Sequence, residues 1–330
     1  MKLRIAVVCG GASAEAAVSR KSADGVVAAL ASAGHSVTRH ELDGNLASRL
    51  LAEQPDVVFP ITHGTLGEDG CVQGLLEIVN LPYVGCGVLA SAVATNKPLA
   101  KQIWRHGGLP VALDVVVNQG ENVEVAAEKA RAQLGAALVV KPAQGGSAIG
   151  VYRIKAEQPP SDVVASIESV LAEYDQAIIE PMLTGAELTC GVFEPVAGAP
   201  VAFPPTLILP QCADFYDFAS KYAPGGSRHV CPAPLRTETI ATIREYAIRA
   251  HELVGARDMS RTDFFVDESQ AAARITLLEI NTLPGMTATS LYPEAAAIAG
   301  IPFASLCDQL VRAAHARPRR TPPKEMMIPS

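Results

Sequence analysis

The chain has 330 residues, enough for two or three domains with sizeable cores, yet no uninterrupted apolar run reaches the ~18 residues of a membrane span. A formal net charge of −7 argues against a nucleic-acid partner. The seven cysteines (Cys9, Cys71, Cys86, Cys190, Cys212, Cys231 and Cys307) are scattered and never spaced Cys-x-x-Cys, which argues against zinc and a disulfide framework and for a cytoplasmic protein.

The first stretch alternates strand and helix. Leu3–Cys9 reads as a buried strand, followed by the turn Gly10-Gly11-Ala12-Ser13 and a helix from about Ala14 to Ala33 that stops at Gly34. A strand at His35–His40, a helix at Leu46–Ala52 and a strand at Asp56–Pro60 complete a βαβ pattern, which implies a parallel sheet covered by helices. Gly10-Gly11 lacks the Gly-x-Gly-x-x-Gly spacing, so a dinucleotide-binding dehydrogenase is disfavoured. Ligands of open parallel sheets gather beyond the carboxyl ends of the strands. Glu15 and His63 both sit on loops at such ends and are predicted to share one cleft; the plainer alternative is a satisfied loop histidine.

A second unit starts near Asn96-Lys97 with a helix running to Gly107-Gly108. A strand at Asp114–Val117, a helix at Val123–Leu134 and a strand at Leu138–Pro142 follow. Ala143–Val151 is then a glycine-rich loop between strands, able to bring backbone N–H groups close to phosphates. It is not a Walker motif. Lys141, just before it, favours phosphate over a flexible hairpin. The strand Ala177–Leu183 and the following Glu187 read as an adenine edge with a ribose carboxylate, or simply as a domain boundary. Pro210–Pro234 is long and weakly structured, which points to a functional lid or to disorder; its aromatic residues make disorder the poorer explanation.

Helices at Thr237–Leu253 and Ala295–His315 flank two further strand candidates, Arg261–Val266 and the run that begins at Thr276 and leads through Glu279-Ile280-Asn281 to Pro284-Gly285-Met286-Thr287. Paired as a hairpin centred on Ala271, they set Asp263 opposite Glu279 and Arg261 opposite Asn281, about 5 Å apart at Cβ. Period-two alternation turns Leu278 and Ile280 to the other face. Two acids and an amide make hard oxygen ligands suited to Mg²⁺ better than zinc. The alternative is a solvated hairpin face with one ion pair.

Taken in order, Gly10–Glu15, Thr62-His63-Gly64 with Gly67–Gly70, Lys141–Gly150, Phe215-Tyr216-Asp217 with Lys221-Tyr222, Arg261-Thr262-Asp263 and Glu279–Thr287 form a specific set. Over nearly its whole length the chain resembles the D-alanine–D-alanine ligases of the ATP-grasp superfamily. The resemblance implies an α/β fold, α+β in part, in three domains. These are an N-terminal parallel-sheet domain (1–95), a central ATP-grasp subdomain (96–183), and a C-terminal one (184–316) with the lid at about 210–234; a tail (317–330) follows. It implies ATP as substrate, Mg²⁺ (or Mn²⁺) as cofactor, and the joining of two D-alanine molecules through an acyl phosphate for peptidoglycan synthesis. Family members are commonly homodimers, and for this chain that stays open.

The same resemblance assigns roles. Asp263, Glu279 and Asn281 would hold the metal; Lys97, Lys141 and the lid's Lys221 would bind phosphates; Glu180, Leu183 and Glu187 would bind adenosine. Arg261 and the Gly285 N–H would stabilise the tetrahedral oxyanion. Glu15 and His63 would bind the first D-alanine, with Glu15, Ser147 and Tyr222 linked as a hydrogen-bonded triad. Ser290 and Leu291 would receive the second amino acid. The Lys221-Tyr222 pair resembles the dipeptide-forming type more than the lactate-incorporating one. Ala16-Ala17, Ala148, Pro181 and the tail after Ala316 depart from the family pattern. They keep open a divergent ligase that joins another amino or hydroxy acid. A non-catalytic nucleotide-binding protein would have lost part of the metal trio or Arg261, and both are intact.

Overall fold

The structure, a computed structural model, describes residues 1–211, 226–287 and 289–318. Three sheets follow one another along the chain. The first is parallel, in the order β2-β1-β3, from β1 (Arg4–Cys9), β2 (Ser36–Glu41) and β3 (Val57–Pro60). From Ile5 to Cys9 every residue of β1 is buried, as expected of a central parallel strand covered on both faces. Helix α1 (Ala16–Ser32) crosses back over this sheet, with α2 (Leu46–Glu53) between β2 and β3.

Helices α3 (Cys71–Ile78) and α4 (Val88–Thr95) lead to α5 (Lys97–His106). Asn96 caps α5, its side chain accepting from Leu99 N at 3.0 Å, and Pro98 sits in the first turn where its missing N–H is harmless. The second sheet is antiparallel, in the order β4-β7-β5-β6, from β4 (Val115–Asn118), β5 (Leu138–Pro142), β6 (Tyr152–Ile154) and β7 (Gln176–Pro181). Helices α6 (Val123–Leu134) and α7 (Pro160–Leu171) close a core of small and β-branched side chains behind it.

The third sheet runs β11-β10-β8-β12-β13, with β9 added to β8: β8 (Ala186–Phe193), β9 (Val201–Ala202), β10 (Thr206–Pro210), β11 (Ser227–Val230), β12 (Met259–Asp267) and β13 (Arg274–Asn281). Helix α8 (Thr237–Leu253) packs behind it. Ser227–Val230 falls inside the segment expected to be weakly structured, and pairs in register with β10 instead. Residues 212–225, including Lys221 and Tyr222, lie outside the described residues.

The single helix expected over Ala295–His315 is two, α9 (Leu291–Ile298) and α10 (Phe303–Ala316), meeting at 102°. Gly300 at φ +86° and Pro302 break it, one by its left-handed turn and the other by its missing N–H. After this bend α10 packs into one core with β1, α1 and β3, so the chain's last helix closes against its first sheet. Among the described residues no single helix is long and apolar enough to cross a membrane.

Candidate active site

The β12–β13 hairpin has the register read from the sequence: Asp263 faces Glu279 and Arg261 faces Asn281. The register then shifts between Asp263 and Phe264, so that Phe264 pairs with Leu277 and Leu278 is the extra residue of a bulge. This corrects one expectation. Leu278 does not turn away with Ile280; it lines the same cavity as Glu279 and Phe265, while Ile280 stays in the core.

That cavity, of about 530 Å³, lies between the second and third sheets. Val139, Ile149, Leu183 and Leu278 give it apolar walls, and Lys97, Lys141, Glu180 and Glu187 give it charge. Lys141 Nζ is 2.5 Å from Glu180 Oε2, and Glu180 Oε1 accepts from Lys101. Burial pushes the Glu180 carboxyl up, but the two lysines outweigh it and hold the pKa down at about 2. Burial likewise disfavours the Lys141 ammonium, yet Glu180, with Glu279 and Glu187 beyond it, leaves its pKa above the ordinary value.

A second cavity of about 210 Å³ opens beyond the glycine loop. It is lined by Glu15, His63, Ser147, Arg261, Asn281, Gly285, Ser290 and Leu291, and it shares Lys97, Gly145, Gly146 and Glu279 with the first. Lys97 Nζ reaches Gly145 O at 2.5 Å and Glu279 at 3.5 Å, so the common wall is a lysine, a carboxylate and a glycine turn.

Two loops meet at Glu15. Ser147 Oγ donates to its carboxylate from a glycine loop in which Ser147 and Ala148 take φ +55° and +56°, a backbone that L residues rarely adopt. From the other side, Ser13 Oγ donates to His63 O at 2.7 Å. Gly64 is required there: a Cβ on it would sit 2.9 Å from Ser13 Cβ and 3.2 Å from the Glu15 carboxylate. His63 Nδ1 lies 3.9 Å from Glu68 Oε2, and its buried Nε2 has no hydrogen-bond partner among the described residues.

At the far end, Arg261 Nε and Nη2 both reach the Asp263 carboxylate at 3.0 Å, and Thr189 Oγ1 donates to it at 2.6 Å. Asn281 Oδ1 accepts from Leu283 N at 3.0 Å, bending the chain from β13 into the Pro284-Gly285 turn. Thr287 N donates to Ser290 Oγ at 3.0 Å, and a Cβ on Gly285 would come within 3.0 Å of that hydroxyl. Leu291 is buried at the start of α9.

The structure thus gathers Glu15, His63, Ser147, Arg261, Gly285, Ser290, Leu291, Asn281, Glu279 and Lys97 around the second cavity. Lys141, Glu180, Leu183 and Glu187 stand around the first, with Lys97 and Glu279 between. Asp263 lies behind Arg261 and lines neither cavity. Glu279 and Asn281 present oxygens to the second cavity, while Asp263, opposite Glu279, has both of its oxygens held by Arg261 and Thr189. The residue types are hard oxygen donors of the kind that suits Mg²⁺, and Asp263 would have to exchange Arg261 for the ion. Lys101 was missed in the sequence. It lies one helical turn after Lys97 on α5, a spacing that places both on one face.

Two sheets closing on a nucleotide-sized cleft, with a parallel-sheet domain over a polar neighbouring cavity, define the ATP-grasp class of fold. Family models described as D-ala D-ala ligase N-terminus and D-ala D-ala ligase C-terminus match residues 39–86 and 103–312. A D-alanine–D-alanine ligase of Syntrophobacter fumaroxidans is 42% identical over 317 residues, covering 95% of this chain and 98% of that one. Among solved structures, the D-alanine–D-alanine ligase of Coxiella burnetii superposes with a TM-score of 0.81 at 29% identity, over 95% of this chain and 94% of that one. The Bacillus anthracis enzyme, solved in complex with ATP, gives 0.78 at 26% identity, over 94% and 97%. The chain belongs to the D-alanine–D-alanine ligase family.

Proposed function

We propose that this protein joins two D-alanine molecules, with ATP cleaved to ADP and phosphate, to supply D-alanyl-D-alanine for peptidoglycan precursors in the cytoplasm. One observation carries the reading: a nucleotide-sized cavity and a smaller polar one share a wall made of Lys97, Glu279 and Gly145-Gly146. Phosphoryl transfer is largely positioning and charge neutralisation, and that wall is where a terminal phosphate and an amino-acid carboxylate would meet.

In the first step the carboxylate of one D-alanine attacks the γ-phosphorus of ATP, forming an acyl phosphate as ADP leaves. Glu15 binds the ammonium of this D-alanine with His63 beside it, while Lys97, Lys141 and the lid's Lys221 bind phosphate oxygens. Glu180, Leu183 and Glu187 hold the adenosine end. In the second step the amine of the other D-alanine, seated on Ser290 and Leu291, attacks the acyl carbon, and phosphate leaves. Arg261 and the Gly285 N–H stabilise the oxyanion between these events. Asp263, Glu279 and Asn281 would hold Mg²⁺ (or Mn²⁺), which supplies charge neutralisation at the phosphates. The roles of Lys221 and Tyr222 rest on resemblance to the family alone.

The domain division that goes with this reading is 1–95, 96–183 and 184–316, and a homodimer is compatible with it. The test is ADP release from ATP and Mg²⁺ with D-alanine, with mass spectrometry of the product. D-alanyl-D-alanine at ordinary enzymatic rates is the expected result. Turnover only with another amino or hydroxy acid would overturn the choice of substrate.

A further inference from the structure

Lys97, Lys101 and Arg105 recur every fourth residue along α5 and stack on one face of it. Carboxylates from other elements interleave with them. Glu279 is 3.5 Å from Lys97; Asp114 is 3.1 Å from Lys101 and 2.8 Å from Arg105; Glu180 accepts from Lys101. The series runs from the cleft outward, ending where the Arg105 side chain is 43% exposed. Lys101 lines neither cavity and its side chain is only 1% exposed.

A buried ammonium is expensive to desolvate, and a pair that served stability alone would be matched or bettered by apolar packing. Lys101 is also not an isolated pair. One of its two carboxylates, Glu180, presents its other oxygen to Lys141 inside the nucleotide cavity. Glu180 therefore has one charge to divide between two ammonium groups. If Lys101 were absent, Lys141 would be its only cation among the described residues, and Glu180 would compete with a phosphate for Lys141 at full strength. We propose that Lys101 is a positioning residue for nucleotide binding: it neutralises Glu180 from behind, so that Lys141 can give up that carboxylate and offer its ammonium to a phosphate oxygen. The inference rests on the nucleotide reading of the larger cavity. It adds a residue that touches neither substrate.

The test is titration calorimetry of ATP with Mg²⁺ on wild type, K101M, E180Q and the K101M/E180Q double variant, each first shown to melt cooperatively. K101M should weaken ATP binding ~10-fold, and in turnover should raise KM for ATP while KM for D-alanine stays within about twofold. Once Glu180 has lost its charge, adding K101M should change ATP affinity no further than E180Q alone does. This second comparison decides the matter if K101M by itself does not fold. Unchanged ATP affinity in K101M, equal rises in both KM values, or a further loss when K101M is added to E180Q would each overturn the proposal. A wild-type protein that binds no ATP would overturn the nucleotide reading as well, and so be told apart from a failure of Lys101 alone.

Discussion

The two faces of the β12–β13 hairpin are built on opposite terms. Its front carries Arg261, Asp263, Glu279 and Asn281, and every charge there is paired: Arg261 with Asp263 and Glu279 with Lys97. Its back carries Phe264, Val266, Leu277 and Ile280, packed against Ile243, Ala247 and Ala250 of α8 with Trp104 in the same core. On the back, side-chain volume decides fit, and a replacement is felt as lost stability. On the front, Arg261, Glu279 and Lys97 border a cavity, where each can exchange its partner for an arriving ligand. A substitution there is felt in turnover first.

The largest effect should come from the front. Glu279→Gln keeps the shape and removes one charge from a side chain that is partly exposed and borders both cavities. In the proposed role of Glu279 as a metal ligand, loss of metal-supported charge neutralisation is worth several kcal/mol, so kcat for ADP release should fall at least ~10³-fold. The melting temperature should move by no more than a few degrees. A variant with near-normal turnover would remove Glu279 from the chemistry. One that lost its fold along with its activity would break the division between the faces.

Behind the back face a buried histidine gives a pH test of similar size. His251 of α8 is buried, with Nδ1 2.8 Å from Ser260 Oγ of β12 and no hydrogen-bond partner on Nε2 among the described residues. Burial lowers its pKa from 6.5 to about 4, with Glu194 pulling weakly the other way. The folded protein therefore holds this ring neutral, while the unfolded chain takes up a proton below 6.5. Its contribution is complete above pH 6.5 and is lost as the pH falls towards 4, by about 3 kcal/mol at most. His251→Leu should be less stable than wild type at neutral pH, because Ser260 loses its partner. The gap should narrow or reverse towards pH 4 in urea melts taken across that range. Parallel curves for the two proteins would show that His251 does not titrate in this window.

The front face was readable from sequence because it depends on period-two alternation and a short loop, both local. Asp263, Glu279, Arg261 and Asn281 fall into place once Ala271 is taken as the centre. The bulge at Leu278 was not readable, since a one-residue slip is set by what the two strands pack against. Helix α4 was missed because Val88–Thr95 is mostly small and apolar, with no polar face to mark a period. The break between α9 and α10 is marked in the sequence by Gly300 and Pro302, although the apolar pattern continues on both sides of it. Lys101 shows the limit most clearly. Its place on the Lys97 face was written in the spacing, but Glu180, 79 residues on, could only be joined to it by the fold.

The smallest effect is predicted across the cleft, where the glycine loop meets the N-terminal domain. Ser147 donates to Glu15 from a left-handed backbone, so the bond depends on a conformation that alanine would tolerate no better or worse. Ser147→Ala thus isolates the hydroxyl. Glu15 would keep its place at the mouth of α1 and lose one donor, a loss of about 1–3 kcal/mol for a hydrogen bond to a charged group. The expected result is a rise of ~10-fold in KM for the first D-alanine, with ATP affinity unchanged within twofold, because the nucleotide cavity does not include Glu15. If ATP affinity fell in step with D-alanine, the loop would be setting the shape of both cavities through its backbone, and the hydroxyl would not be the part that matters.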